Sequence, residues 1–431
     1  MRTARSSRTA PLFAGPIAAA LLLAACGGTA QDEPTTATNP VEDIDDSPDV
    51  DPDEPAAQPA GEPVRIGLVN QERGAVSFPD FGNGARAAAH YINDQGGIGG
   101  QPLELVECLT DGSPESSSAC GAEMVDADVE VVFNGIDLGN DPIHPILSDA
   151  GIVMVGPAAF TGGDFVSEAA FWLSAGQGGF SAGVARFLGE DLEAEVVVQL
   201  GQDLQFARDA NDVFVAPVME ALGVEWVPIY IDASAPDFAV AVATALESDP
   251  DAIFGFFQEP DAARLAEAVN QSGFDGAFVN GALRSWITEA SEAAREGVYT
   301  SSSLYDWDNI DAAPERSQPE LRDFVDAMES HFPDQQIGLF TQTAFGSMVD
   351  LARILQELGP EAITAGEVKQ AFRSKVDEPQ FMGGSYSCDG AQLPGSPGTC
   401  ASSILILEYV DGALTPSAGP LDGAALLAGG G

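Results

Sequence analysis

The chain has 431 residues, of which 67 are Asp or Glu and 17 are Lys or Arg, giving a formal net charge of −50 at pH 7. A surface so acidic cannot neutralise phosphates or settle on anionic lipid, which excludes nucleic acid and a charged membrane face as partners. Its only lysines are Lys369 and Lys375, and such a balance suits a salty medium that screens self-repulsion.

Arg2, Arg5 and Arg8 precede an apolar run from Pro11 to Leu23 that is too short for an ordinary membrane-spanning helix. Leu23-Ala24-Ala25-Cys26 is the box of a lipoprotein signal peptide. It predicts a leader over residues 1–25, cleavage before Cys26 and a diacylglyceryl group on its sulfur. That lipid holds the chain extracytoplasmically, at the outer face of the cytoplasmic membrane. Gly27 to Pro63 then carries eleven Asp and Glu and no Lys or Arg, set among Pro, Thr and Ala. Such a stretch has little to bury and repels itself, so residues 26–61 read as an extended acidic tether. About 370 residues remain, too many for one core and enough for two lobes.

Val64 to Val69 reads as a strand. Gly84 to Asp94 reads as a helix, because Ala85, Ala88, Ala89 and Ile92 fall on one face. Gly96-Gly97 supplies the left-handed stop, and Leu103 to Glu107 is the next strand. This is a β-α-β unit with a right-handed crossover and a ligand-facing loop from Asn70 to Asp80. The alternation continues with helix Glu115 to Val125, strand Val129 to Phe133, helix Pro142 to Ala150 and strand Gly151 to Val155. A second block repeats it. Helix Phe180 to Gly189, strand Glu195 to Leu200, helix Ala207 to Leu222 and strand Val224 to Ile231 come first. Helix Asp237 to Glu247, strand Ala252 to Phe257, helix Asp261 to Ser272 and strand Ala277 to Val279 follow. Two successive open parallel sheets with helices on both faces imply two similar lobes. Gly297 to Tyr305 reads as an extended connection, followed by helices Pro319 to Ser330, Leu339 to Leu358 and Thr364 to Lys375. Phe381 to Tyr386 and Ser403 to Val410 read as two strands, and beyond Asp411 the Gly, Ala and Pro content predicts a loose tail.

With Cys26 assigned to lipid, Cys108, Cys120, Cys388 and Cys400 remain, an even number in an exported chain. Four cysteines allow three pairings. The local one joins Cys108 to Cys120 and Cys388 to Cys400 across loops rich in Ser, Pro and Gly, and it is the pairing expected. Metal binding is not expected, since no Cys-x-x-Cys occurs and His90, His144 and His331 are scattered. Nor does the chain carry H-E-x-x-H or a P-loop, which argues against an enzyme and against a cofactor.

The run Ile92-Asn93-Asp94-Gln95-Gly96-Gly97-Ile98-Gly99-Gly100 resembles the I-N-x-x-G-G-I-x-G signature of extracytoplasmic solute-binding proteins of the leucine/isoleucine/valine-binding type. Further stretches agree with that family: a sulfur-bearing loop after the second strand, DAGIVMVGPAA, ALGVEW, DFAVAVATALESDPDAIF and VNQSGF. The resemblance covers about Val64 to about Leu414. It implies an α/β fold, a two-lobe clam of the type I periplasmic-binding-protein kind, each lobe an open, mostly parallel sheet with helices on both faces, joined by three crossovers. Carried over, lobe 1 is 62–174 with 302–382, lobe 2 is 175–301 with 383–416, and 417–431 is tail. The implied function is capture of a small organic ligand (amino acid, amide, carboxylate or aromatic compound) by a monomer that delivers it to an ABC importer permease. The alternative is a sensory receptor that signals to a membrane partner.

In this family the ligand sits between the lobes, against loops at the carboxyl ends of strands. The implied ligand-binding residues are Ser77, Phe78, Asp137, Leu138, Ala158, Phe160, Thr161, Gln205, Phe206, Phe257, Gln258, Ala282 and Arg284. Amino-acid binders hold the ligand carboxylate with a Ser and a Thr; here Asp137 stands at the Ser position and Phe160 at the Thr position, one residue before Thr161. The carboxylate that holds the ligand ammonium is replaced by Ala282, and an aromatic residue becomes Phe206. These departures imply an apolar or aromatic ligand in preference to a branched-chain amino acid.

Overall fold

The computed structural model describes residues 58–428 apart from 75, 233, 258–260 and 282–284. The leader, Cys26 and most of the tether lie outside the described residues. Strands β1 (Val64–Gln71), β2 (Leu103–Thr110), β3 (Val131–Asn134), β4 (Val153–Gly156) and β5 (Ala170–Trp172) form a parallel sheet in the order β2-β1-β3-β4-β5. Strands β6 (Val196–Gln202), β7 (Glu225–Ile231), β8 (Ala252–Phe256), β9 (Ala277–Asn280) and β10 (Tyr299–Ser302) repeat that order as β7-β6-β8-β9-β10. A two-stranded ribbon, β11 (Glu378–Pro379) with β12 (Ser385–Tyr386), stands apart. Strands β13 (Ile404–Val410) and β14 (Ala413–Leu421) add antiparallel to the free edge of β10. The architecture is the two-lobe α/β clam, one sheet to a lobe, with three chain passages between them.

The helices around the first sheet are α1 (Pro79–Asp94), α2 (Pro114–Asp126), α3 (Ile143–Ala150) and α4 (Gly162–Val166). The second sheet carries α5 (Gly176–Arg186), α6 (Gln205–Ala210), α7 (Ala216–Leu222), α8 (Phe238–Leu246), α9 (Asp261–Ser272), α10 (Ser285–Glu289) and α11 (Glu292–Arg295). The chain then returns to the first sheet with α12 (Gln318–His331), α13 (Leu339–Leu358) and α14 (Ala365–Arg373), and α15 (Ala424–Ala428) closes the described part. Each sheet separates two apolar clusters. Ile66, Leu68 and Phe133 face one side of the first sheet, while Val69 and Val132 face the other. Val198 and Ile253 face one side of the second, while Val197 and Phe254 face the other. Covering both faces is what continuous apolar strands require.

Local chemistry explains how these helices seat. Pro79 and Asp80 open α1, where a missing N–H costs nothing and an acid meets the positive helix end. Gly84 meets the α13 backbone so closely that an added Cβ would lie 2.3 Å from the Thr341 carbonyl oxygen. Gly97 ends α1 with φ +74°, its N–H donating to the Ile92 carbonyl at 2.9 Å, and Ile98 is fully buried behind it.

Several expectations need correction. The tail read beyond Asp411 is β14, paired along β13 with Leu414 and Leu421 buried, and 424–428 is helical. Its Gly-Pro-Ala sequence hides the strand because the ordering comes from the edge of β13 and not from local propensity. Gly297 to Tyr305 is more than a connection: it contains β10, which bridges parallel β9 to antiparallel β13. Strand β5 carries no alternating signal, being fully buried over three residues. The helix read from Ala207 to Leu222 runs from Gln205 but widens into a π turn at Asn211–Val215, just before Pro217. Proline removes an N–H and crowds the preceding turn, and the wider turn accommodates it. The strand read at Phe381 to Tyr386 shrinks to the two residues of β12. Both local disulfides are present, tying β2 to α2 through Cys108–Cys120 and closing the later loop through Cys388–Cys400.

Candidate functional site

The candidate site is built from loops at the carboxyl ends of the strands, and in the first lobe two amides organise them. Asn70 and Gln71 end β1 and are buried. Asn70 Nδ2 donates to the Phe78 carbonyl at 2.9 Å and to Glu72 Oε1 at 3.1 Å, while its Oδ1 accepts from Ile136 N–H at 3.0 Å. Gln71 Nε2 donates to the Val76 carbonyl at 2.8 Å, and its Oε1 accepts from Leu138 N–H at 3.0 Å. One strand end thereby fixes the loops after β1 and β3 against each other. Held by the same Gln71 amide, Val76 and Leu138 present apolar side chains that are 54% and 50% exposed.

Asp164 performs the equivalent task for the loops after β3 and β4. Its fully buried carboxylate accepts from Phe160 N–H at 2.9 Å, Thr161 N–H at 3.0 Å, Asn140 Nδ2 at 2.8 Å and His144 Nε2 at 2.9 Å. Thr161 caps α4, with Asp164 completing a reciprocal box, and its hydroxyl donates to Asn140 Oδ1 at 2.5 Å. The Thr161 hydroxyl is thus engaged between the two loops. Ala158 beside it is buried.

Around these loops four rings meet. Phe81 stacks on Phe340 with centroids 4.6 Å apart, Phe78 meets Phe340 edge-on at 6.3 Å, and Phe160 meets Phe81 edge-on at 6.4 Å. Phe78 and Phe160 were expected. Phe81 and Phe340 were not, since Phe340 reaches the cluster from α13, which the chain adds only after building the second lobe.

The other expected residues are placed differently. Ser77 is exposed. Asp137 is 1% exposed and turns inward toward Ser117 and Thr110, whose hydroxyls approach it without reaching hydrogen-bond geometry, while Gly139 N–H donates to its Oδ1 at 3.2 Å. Burial pushes its carboxyl above the usual range, and Ser117, the Gly139 N–H and Thr110 pull it back. Phe257 is 5% exposed and packs edge-on against Phe238 in the core of the second lobe, centroids 5.3 Å apart. Gln205 and Phe206 begin α6. Gln258, Ala282 and Arg284 lie outside the described residues.

The passages between the lobes converge beside the site. Gln380 Nε2 donates to the Leu173 carbonyl at 2.5 Å, Tyr305 N–H to the Met382 carbonyl at 2.9 Å, and Ala175 N–H to Ser303 Oγ at 3.3 Å. A small cavity of about 10 Å³ lies there, lined by Ser302, Leu339 and Gln342 among others. A groove of about 470 Å³ runs elsewhere, along the outer edge of β2 between Leu103, Glu107 and His90. Among the described residues no cluster of His, Cys, Asp and Glu is disposed to hold a metal ion, and no helix is long and apolar enough to cross a membrane.

A family model described as periplasmic binding protein matches residues 63–394. No curated protein sequence matches the chain. Among solved structures, the chain is similar to a leucine-binding protein from Thermotoga maritima at 17% identity, over 82% of this chain and 98% of that one, with a TM-score of 0.64. It is similar to the branched-chain amino acid transporter substrate-binding protein from Streptococcus pneumoniae, solved with isoleucine, at 18% identity over 82% and 98%, TM-score 0.63. A fatty acid ABC transporter substrate-binding protein from Thermomonospora curvata shares 14% identity over 87% of this chain and 96% of that one, TM-score 0.66. At these identities the likeness is one of fold.

Proposed function

The chain belongs to the periplasmic binding protein family, a family of solute-binding proteins, and from that premise we propose that it is a lipid-anchored receptor for an ABC importer. It works as a monomer, held by Cys26 at the outer face of the cytoplasmic membrane. Lobe 1 (62–174 and 302–382) and lobe 2 (175–301 and 383–416) close on a small organic solute, and the closed form docks on the permease. A sulfur on Cys26 and an acidic tether of residues 26–61 give the domain reach while keeping it close to the membrane.

The solute is apolar or aromatic. The observation that carries this is the exposed apolar pair Val76 and Leu138, held on neighbouring loops by Gln71, together with the half-buried Phe78 and Phe160 on the loops of the same strand ends. Covering about 100 Å² of such surface stabilises a complex by about 2.5 kcal/mol. An ammonium group has less to gain. By the family resemblance its carboxylate partner is Ala282 here, and the Asp137 carboxylate is buried against Ser117 and Thr110. An unpaired charge in a closed cleft costs several kcal/mol. Relatives of this fold include leucine and isoleucine binders and a fatty acid transporter's binding protein, so the fold accommodates both kinds of solute.

A thermal-shift screen followed by isothermal titration tests the reading, because a ligand bound only by the native state raises its melting point. Apolar and aromatic carboxylic acids and their amides are expected to bind at least about tenfold more tightly than leucine, isoleucine or valine, a difference of about 1.4 kcal/mol. Tight leucine binding that disappears in Asp137→Ala overturns the ligand class.

A further inference from the structure

The third passage between the lobes is gripped by two acids from neighbouring helices. Consecutive backbone amides point at them: Phe381 N–H lies 3.1 and 3.3 Å from the two Asp350 oxygens, and Met382 N–H donates to Glu320 Oε2 at 2.7 Å. Arg353 bridges the acids, 3.3 Å from Asp350 Oδ1 and 2.8 Å from Glu320 Oε1, with its guanidinium 4.9 Å from the Phe381 ring centroid. Met382 sits at φ +58°, a left-handed conformation that side chains other than glycine rarely adopt. The grip on its amide holds it there. The same segment bonds to both other passages, through Gln380 to Leu173 and through the Met382 carbonyl to Tyr305. What fixes residues 380–384 therefore fixes the junction of the lobes.

Asp350 is the titrating member. It is fully buried, and burial pushes its carboxyl up to about 7; Arg353 and the Phe381 N–H pull against that push, and Glu320 adds to it. The other groups facing this junction are Tyr91 from α1, which donates to Asp323 of α12 at 3.0 Å, and Tyr386 from β12, near Glu378 and Glu357. Lys375 pairs with Glu357 at 2.6 Å. Burial holds both tyrosines well above their ordinary range, so neither changes charge near neutrality.

We propose that Glu320, Arg353 and Asp350 clamp the third passage, and that protonation of Asp350 loosens the clamp so that the lobes change their relative position with the pH of the medium. With Asp350 ionised, Arg353 is held by two carboxylates and the Phe381 amide meets a charged acceptor, the stronger kind of hydrogen bond. Arg353 and the Phe381 N–H favour the ionised acid, so with Asp350 neutral, and still buried on its helix, both contacts weaken and Glu320 is the one carboxylate left to Arg353. The proposal rests on the lobe closure argued above.

The test places spin labels on exposed positions of the two lobes, Glu123→Cys on α2 and Gln271→Cys on α9, in the full chain with Cys26→Ala. Pulsed dipolar distances are compared at about pH 5.5 and about pH 8.5, on either side of the Asp350 transition. The distance distribution is expected to shift between the two, and Asp350→Asn is expected to keep the acid distribution at both. Hydrogen exchange of the wild-type chain reads the clamp without any substitution. After correction for the intrinsic rate, the Phe381 and Met382 amides are expected to lose about tenfold in protection at the acid pH, about 1.4 kcal/mol of local opening. Distances and protection that ignore pH overturn the proposal, as does an Asp350→Asn chain that keeps the wild-type pH response. A solute that moves the labels equally at both pH values, with no shift in its absence, sustains the receptor reading while removing the clamp.

Discussion

Two buried aspartates at the site show how differently one residue type is used. Asp164 has four donors on its carboxylate and shapes two loops. Asp137 accepts from Gly139 N–H, and burial pushes its carboxyl upward. The folded chain therefore holds the Asp137 proton more tightly than the unfolded chain does. Its stabilising contribution is full below the ordinary carboxylate pKa of about 4 and is lost as pH rises through the raised folded value. Asp137→Asn stays neutral throughout. Its melting temperature relative to wild type is expected to be more favourable at about pH 8 than at about pH 4, as read by calorimetry. A variant whose melting temperature falls further below that of wild type as pH rises contradicts this reading. The sequence marked position 137 as important but could not give its direction, because which way a loop side chain points depends on Ser117 and Thr110 from other elements.

Among the elements, β2 is an edge strand that pairs only with β1. The Cys108–Cys120 bond supplies a second tie, to the buried face of α2. Replacing both cysteines by serine is expected to cost about 2–4 kcal/mol, seen as a lower urea midpoint. Peptide mapping without reductant is expected to link 108 to 120 and 388 to 400. An unchanged midpoint would mean that β1 alone holds the strand. The helices and parallel strands were legible because their apolar spacing is local and repeats along the chain. β5 and β14 were not: one is three buried residues and the other is a Gly- and Pro-containing edge completed by β13.

For the molecule as a whole, the consequence of a net charge of −50 is where it can reside. Such a chain is repelled by anionic lipid, and the lipid proposed on Cys26 is what would hold it at a membrane. Cys26→Ala is expected to move the protein from the membrane fraction to the soluble fraction and to remove the mass of the acyl chains. A variant that stays membrane-bound with unchanged mass refutes the anchor.

By itself the sequence determined the alternation of strand and helix, the two-lobe class and the local disulfides, since each follows from residue spacing within a few turns of chain. It also pointed to the loops of the candidate site, because those follow the carboxyl ends of parallel strands. Only the tertiary structure decided which side chains those loops expose. Phe340 and Phe81 stack from segments far apart in sequence, Phe257 turns into the core against Phe238, and Gln71 brings Val76 beside Leu138. The clamp on residues 381 and 382 was likewise illegible, because Glu320 and Asp350 gain their meaning only when two helices bring them to one pair of backbone amides. Burial and hydrogen-bond direction are set by neighbours remote along the chain, and no local pattern records them.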